Sequence, residues 1–153
     1  MKVIIFRAEK DKIHFMDCDV KDGTLTVGKK GKISLESTNS NGEKYQLIMD
    51  GLSQLIEKYS PDKFIYRSGL GFRGNIDEIR YTNEAMLTYF SYTNKIEIEE
   101  LTQSGVRKKL GLKTPEFKTL IEKEIDSLRD TYGLPKSDKI LESLVFLSVL
   151  TAV

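Results

Sequence analysis

The strongest constraint on this chain is a change of pattern near residue 40. Lys2 to Arg7 is a compact apolar run rich in β-branched residues, and Lys12 to Asp19 carries aromatic and apolar residues at alternate positions, with Ala8 to Asp11 as a short connection. This predicts a hairpin. A third strand is expected through Thr24 to Val27, a glycine-bounded turn at Gly28-Lys29-Lys30-Gly31, and Lys32 to Glu36, with the polar run Ser37 to Gly42 ending the sheet segment. From there the pattern alternates between helix and strand. Ser40 and Glu43 have capping-box spacing, and Leu47, Ile48, Leu52, Leu55, Ile56 and Tyr59 recur on one face of a helix that ends before Pro61. Lys63 to Arg67 reads as a buried strand, Ile76 to Tyr92 as a helix, and Lys95 to Glu100 as a strand.

Three helices are expected in the remainder. Gln103 to Leu110 is short; Thr114-Pro115 opens a longer one with Phe117, Leu120, Ile121, Leu128 and Tyr132 inward and Gly133 at its end. The last is capped by Ser137 and apolar on almost every side from Leu144 onward, so it should be buried. Hairpin-joined strands followed by alternating strands and helices predict an α/β fold whose mixed sheet is antiparallel at its start and parallel afterwards. At 153 residues, without repeat, linker or low-complexity segment, residues 1–153 are expected to form one domain.

Charge and composition exclude several function classes. Lys plus Arg total 24 against 23 for Asp plus Glu, which argues against a strongly basic nucleic-acid binder but leaves room for a local basic patch. With one cysteine, Cys18, and one histidine, His14, no disulfide framework or Cys/His zinc site can be assembled. Nucleophilic catalysis of the Cys/His or Ser/His/Asp type would have to use His14, which reads more simply as a strand residue with ordinary contacts. The opening apolar run is too short for a signal peptide and Leu144 to Val153 too short to span a bilayer, so no membrane association and a cytoplasmic location are expected.

Several segments resemble the ribonuclease H-like superfamily, and within it the RuvC-type Holliday junction resolvases. Ile5-Phe6-Arg7 looks like the opening strand that ends there in a catalytic Asp. Ser60-Pro61-Asp62-Lys63-Phe64-Ile65-Tyr66-Arg67 looks like the strand that ends in a catalytic Glu. Thr102 to Lys109 is similar to a short segment ending in a basic pair before a glycine, and Asp138 to Leu144 resembles the final acidic helix, with Glu142 at the last catalytic position. The chain also resembles a group of small bacterial proteins of unknown function assigned to the same superfamily. The resemblance implies a ribonuclease H-like mixed sheet of three antiparallel strands and then parallel strands, flanked by helices.

Departures from that pattern shape the functional expectation. Nucleases of the superfamily hold divalent metals with carboxylates from these positions. Here the two strand positions carry Arg7 and Arg67, and guanidiniums cannot ligate Mg²⁺. Arg7 and Arg67 are expected to converge on Glu142 and on Asp138, one helical turn earlier on the same face, so that an ion network replaces the metal. The expectation is a non-catalytic domain, without metal or cofactor, acting as a nucleic-acid-associated or protein-interaction module. The opposing reading is a metal-dependent nuclease with displaced carboxylates, drawn from Glu9, Asp11, Asp17, Asp19, Glu97, Glu99, Glu100, Asp138 and Glu142. In a third, Gly69-Leu70-Gly71-Phe72-Arg73-Gly74 matches GxGxxG between a strand and a helix and binds a dinucleotide, with Glu99 or Glu100 for the ribose.

Candidate phosphate contacts are Gly69, Gly71, Arg73 and Gly74 in that loop, and Arg107, Lys108 and Lys109, continued by Lys113. Asn75 capping an ordinary structural loop is the alternative for the first group. Lys29, Lys30 and Lys32 form another basic cluster, placed in a turn. Tyr81, Tyr89, Phe90 and Tyr92 exceed the needs of one buried stripe and make that helix a candidate homodimer surface.

Overall fold

A computed structural model describes residues 1–68 and 77–153. Strands β1 (Lys2–Ala8), β2 (Lys12–Lys21) and β3 (Thr24–Ser34) are followed by α1 (Asn41–Tyr59), β4 (Lys63–Arg67), α2 (Glu78–Thr93) and β5 (Glu97–Leu101). Helices α3 (Gln103–Leu110), α4 (Thr114–Tyr132) and α5 (Leu141–Thr151) complete the chain. Among the described residues the sheet has the order β3-β2-β1-β4-β5, antiparallel from β3 to β1 and parallel from β1 to β5. This is the mixed sheet expected from the sequence.

Central placement explains the apolar run of β1. Val3 and Ile5 face one core with Met16, Cys18, Ile65 and the inner residues of α3, α4 and α5. Ile4, Phe6 and Ala8 face the other, with Phe64, Tyr66 and the inner residues of α1 and α2. Successive strand residues point to opposite faces, so a strand covered on both sides needs apolar residues without alternation. Helix α5 is apolar nearly all round for a similar reason: Leu144, Val145, Phe146 and Val149 are buried between the sheet and α4, where Phe146 meets Phe117 at 6.1 Å between ring centroids. No helix among the described residues is long and apolar enough to cross a membrane.

Local signals place most helix ends. Ser40 Oγ accepts the Glu43 N–H at 3.2 Å, and the Glu43 carboxylate accepts the Asn39 N–H, which closes the start of α1. Gly133 ends α4 in the left-handed conformation, at φ 66°.

Three expectations require correction, and a fourth, the Asn75 cap, falls outside the described residues. Gly28-Lys29-Lys30-Gly31 is not a turn but part of β3; the hairpin turn is Asp22-Gly23, with φ of 51° and 75°, as a tight turn matched to strand twist requires. Gly31 keeps the strand continuous because a Cβ there would lie 2.5 Å from the Phe15 ring. Helix α2 is described from Glu78, its cap being Asp77, whose carboxylate accepts the Arg80 N–H; Asn75 lies outside the described residues. Strand β5 begins at Glu97, because Lys95 adopts a left-handed φ of 56° that is incompatible with a strand. Ser137 does not cap α5, which begins at Leu141; the Asp138 carboxylate accepts the Ile140 N–H instead, and this local bond holds Asp138 in the preceding turn.

Candidate functional site

Strands β1 and β4 run parallel and end beside each other, so their last residues open onto the crevice where α/β folds commonly bind ligands. The register Phe6↔Tyr66, continued by one residue, places Arg7 beside Arg67. Both project to the face covered by α5. That helix is pinned to the end of β1 by Ser143, whose buried hydroxyl donates to the Phe6 carbonyl at 2.7 Å. The preceding residue, Glu142, is thereby brought over the strand ends.

Arg7 Nε donates to Glu142 Oε2 at 2.6 Å, with the Arg7 side chain only 9% exposed and that of Glu142 37%. A second Arg7 nitrogen donates to the Ala8 carbonyl, fixing the guanidinium plane. Arg67 lies with its guanidinium carbon 4.5 Å from the centre of the Phe146 ring, one turn further along α5. The sheet and α5 therefore bring Arg7, Arg67 and Glu142 together. Asp138 does not join them; its carboxylate pairs with Lys30 from β3.

A third arginine enters the centre from α2. Arg80 Nε lies 3.2 Å from the buried Glu84 carboxylate, one helical turn on, and its guanidinium interacts electrostatically with Arg7, Arg67 and Glu142. Nothing in the spacing of Arg80 indicated this, because α2 packs on the opposite face of the sheet and reaches the centre only around the strand ends. Its position is fixed by the neighbouring Asn83, whose side-chain amide donates to the Glu9 carbonyl at 2.7 Å.

The electrostatics follow from crowding. Burial would raise the Glu142 carboxyl, but Arg7, with Arg67 and Lys139, overcomes it and holds the group below the usual carboxylate range. Burial lowers Arg67; Glu142 opposes this and Arg7 adds to it. Arg80 is lowered by burial and then by Arg7, against the raising influence of Glu84 and Glu142. The centre is thus rich in cations.

The chemistry of this donor set does not fit the divalent metal that the family resemblance implies. Mg²⁺ and related ions require several hard oxygen ligands. Here the Glu142 oxygen is committed to Arg7, and the flanking guanidiniums would repel a cation. Among the described residues no group of three or more His, Cys, Asp or Glu side chains could hold a metal ion. The displaced carboxylates are dispersed: Glu9 Oε2 lies 2.8 Å from His14 Nε2, Asp19 pairs with the chain's N-terminal amine, and Glu97 and Glu99 pair with Lys63.

The other candidates fall elsewhere. Gly69, Gly71, Arg73 and Gly74, and with them the GxGxxG segment, lie outside the described residues. Arg107, Lys108 and Lys109 form the end of α3. Arg107 donates to the Leu112 carbonyl, and Lys109 pairs with Glu99, which also holds Lys63 at the start of β4; Arg67 is at that strand's other end. The structure does not bring this segment to the arginine centre.

A basic row that sequence reading missed does reach it. Lys32 pairs with His14 across β3 and β2, and His14 with Arg7 across β2 and β1. Lys32, His14, Arg7 and Arg67 therefore cross four strands on one face. A bulge between Met16 and Cys18 produces this arrangement: the pairing from Asp22-Gly23 runs Cys18↔Val27 but resumes as Met16↔Lys30, one residue further along β3. That shift turns Lys30 and Lys32 to the face shared by His14 and Arg7. The lysine cluster was visible in the sequence, but its face was not.

No protein-family model matches the sequence, and no curated protein matches it. Solved structures do. Thermus thermophilus RuvC superposes with a TM-score of 0.72 at 10% identity, covering 99% of this chain and 94% of that one. T. thermophilus RuvC in complex with a Holliday junction substrate gives 0.69 at 11% identity, with coverages of 99% and 98%. The yeast mitochondrial Holliday junction resolvase gives 0.63 at 13% identity, with coverages of 98% and 78%. The chain has the ribonuclease H-like fold of these resolvases.

Proposed function

We propose that the protein is a non-catalytic, nucleic-acid-associated domain in which an arginine–carboxylate network occupies the position of a nuclease metal centre. The observation that carries this reading is the Arg7–Glu142 hydrogen bond of 2.6 Å beside Arg67, at the carboxyl ends of β1 and β4. A half-buried, charge-assisted pair neutralises Glu142 as a metal ligand, while the remaining guanidinium charge favours an anion such as a phosphate. The fold shared with Holliday junction resolvases, one of them in complex with its junction substrate, makes nucleic acid the partner of choice. Binding rests on backbone phosphates and is independent of sequence.

The test pairs fluorescence anisotropy on a labelled four-way junction with a cleavage assay in Mg²⁺ or Mn²⁺. Junction binding without cleavage, and no stoichiometric metal uptake by calorimetry, is the expected result. Metal-dependent cleavage abolished by Glu142→Gln would overturn the reading in favour of an active nuclease.

Self-association is assigned to α2, whose Tyr81, Tyr89 and Tyr92 are 52%, 60% and 83% exposed; Phe90 is buried and takes no part. Sedimentation velocity checks this: a dimer converted to monomer by Tyr89→Glu and Tyr92→Glu supports it, and a wild-type monomer across the micromolar range removes it.

A further inference from the structure

A cavity of about 570 Å³ lies between β2–β3 and the turn before α5. We infer that this cleft is a binding site for the phosphate backbone of nucleic acid, continuous with the arginine centre. The inference rests on the nucleic-acid reading above and names the surface through which it operates. Lys12, Lys30 and Lys32 line the sheet wall, and Lys139 the opposite one. Among the described residues two carboxylates line it, and each has a partner: Glu9 Oε2 lies 2.8 Å from His14 Nε2 and Asp138 is paired with Lys30.

Lys32 and Lys139 are exposed, and neither makes an ion pair within the described residues. Neither is held in a direct ion pair, although Lys139 also acts on Glu142 through space, whereas Lys109 at the end of α3 is bound to Glu99. Glu9 also lines an adjoining recess of about 360 Å³, formed with Arg7, Lys10, Asp11, Asp77 and Arg80 and with Lys10 paired to Asp77, so the two cavities meet at one residue. The row Lys32–His14–Arg7–Arg67 runs along the same face of the sheet. Lysines spaced along the cleft and leading to the Arg7–Arg67 end of the row suit a chain of phosphates better than a single small anion. Among the described residues the lining provides one aromatic, Phe15, whose ring lies under Gly31, so contact there is with the backbone rather than by stacking on bases.

The test measures binding of a labelled four-way junction and of its linear duplex as a function of salt. Lys32→Glu with Lys139→Glu is compared with Lys118→Glu with Lys123→Glu, an equal charge change on the exposed side of α4. We expect the cleft variant to bind at least about tenfold more weakly and to reduce the slope of log K against log salt by about two, with the control near wild type. Unchanged thermal melting verifies folding, and competition by inorganic pyrophosphate far weaker than by unlabelled duplex distinguishes a backbone track from a small-anion site. Wild-type binding with no loss in the cleft variant overturns this inference alone; equal loss in the control does the same. Absence of wild-type binding to every nucleic acid overturns both this inference and the functional reading.

Discussion

Arg7 and Glu142 are 135 residues apart in sequence and joined by a 2.6 Å hydrogen bond that ties the end of β1 to the first turn of α5. Arg7 is the more deeply buried partner. Replacing Glu142 with Gln therefore leaves a buried guanidinium without its counter-charge, beside two further arginines. Urea denaturation should show a loss of about 1–3 kcal/mol, below the figure for a fully enclosed pair because Glu142 is partly exposed. A variant as stable as wild type would show that the pair is energetically idle.

The same pair makes stability depend on acid. Glu142 titrates below its unfolded value, so its contribution is fully present above the unfolded carboxyl range and lost as pH falls through the folded value. The stability difference between wild type and Glu142→Gln should be constant above about pH 5 and shrink toward zero in acid. A difference that grows on acidification contradicts the assigned charge state.

Ser143 is the geometric companion of Glu142. Its hydroxyl is buried and donates to the Phe6 carbonyl at 2.7 Å. Ser143→Ala should cost about 1–3 kcal/mol, because the carbonyl loses its donor where water cannot replace it. Thermal melting that matches wild type would mean that α5 is held by packing alone.

Gly31 provides a test of the bulged pairing. An alanine Cβ at that position would lie 2.5 Å from the Phe15 Cζ, so the ring or the strand must move. We expect Gly31→Ala to lose about 1–3 kcal/mol, whereas Gly111→Asn, in a left-handed helix cap open to solvent, should remain close to wild type. Equal stability of the two variants would contradict the pairing of Gly31 with Phe15.

Cys18 is buried in the sheet, and burial, with Asp17 adding to it, pushes its thiol up to about 12. An aromatic disulfide reagent at neutral pH should modify it only at the rate at which the protein opens, and rapidly in denaturant. Prompt native-state labelling would place Cys18 at the surface.

The sequence by itself determined the kinds and order of the elements. The unbroken apolar run in β1, the capping box of α1, Pro115 at the start of α4 and the all-round apolarity of α5 are local signals, since each reflects the chain's own periodicity or hydrogen-bonding chemistry. Family resemblance added the convergence of Arg7, Arg67 and Glu142, positions that no local pattern connects. Tertiary structure alone decided the composition of the site. Asp138 turned to Lys30 because its own backbone bond held it outside α5. Arg80 arrived around the strand ends from a helix on the opposite face. Lys30 and Lys32 came to the Arg7 face through a bulge of one residue. Such outcomes depend on register and on packing between distant segments: a slip of one position reverses the face of a strand residue while leaving composition and periodicity unchanged.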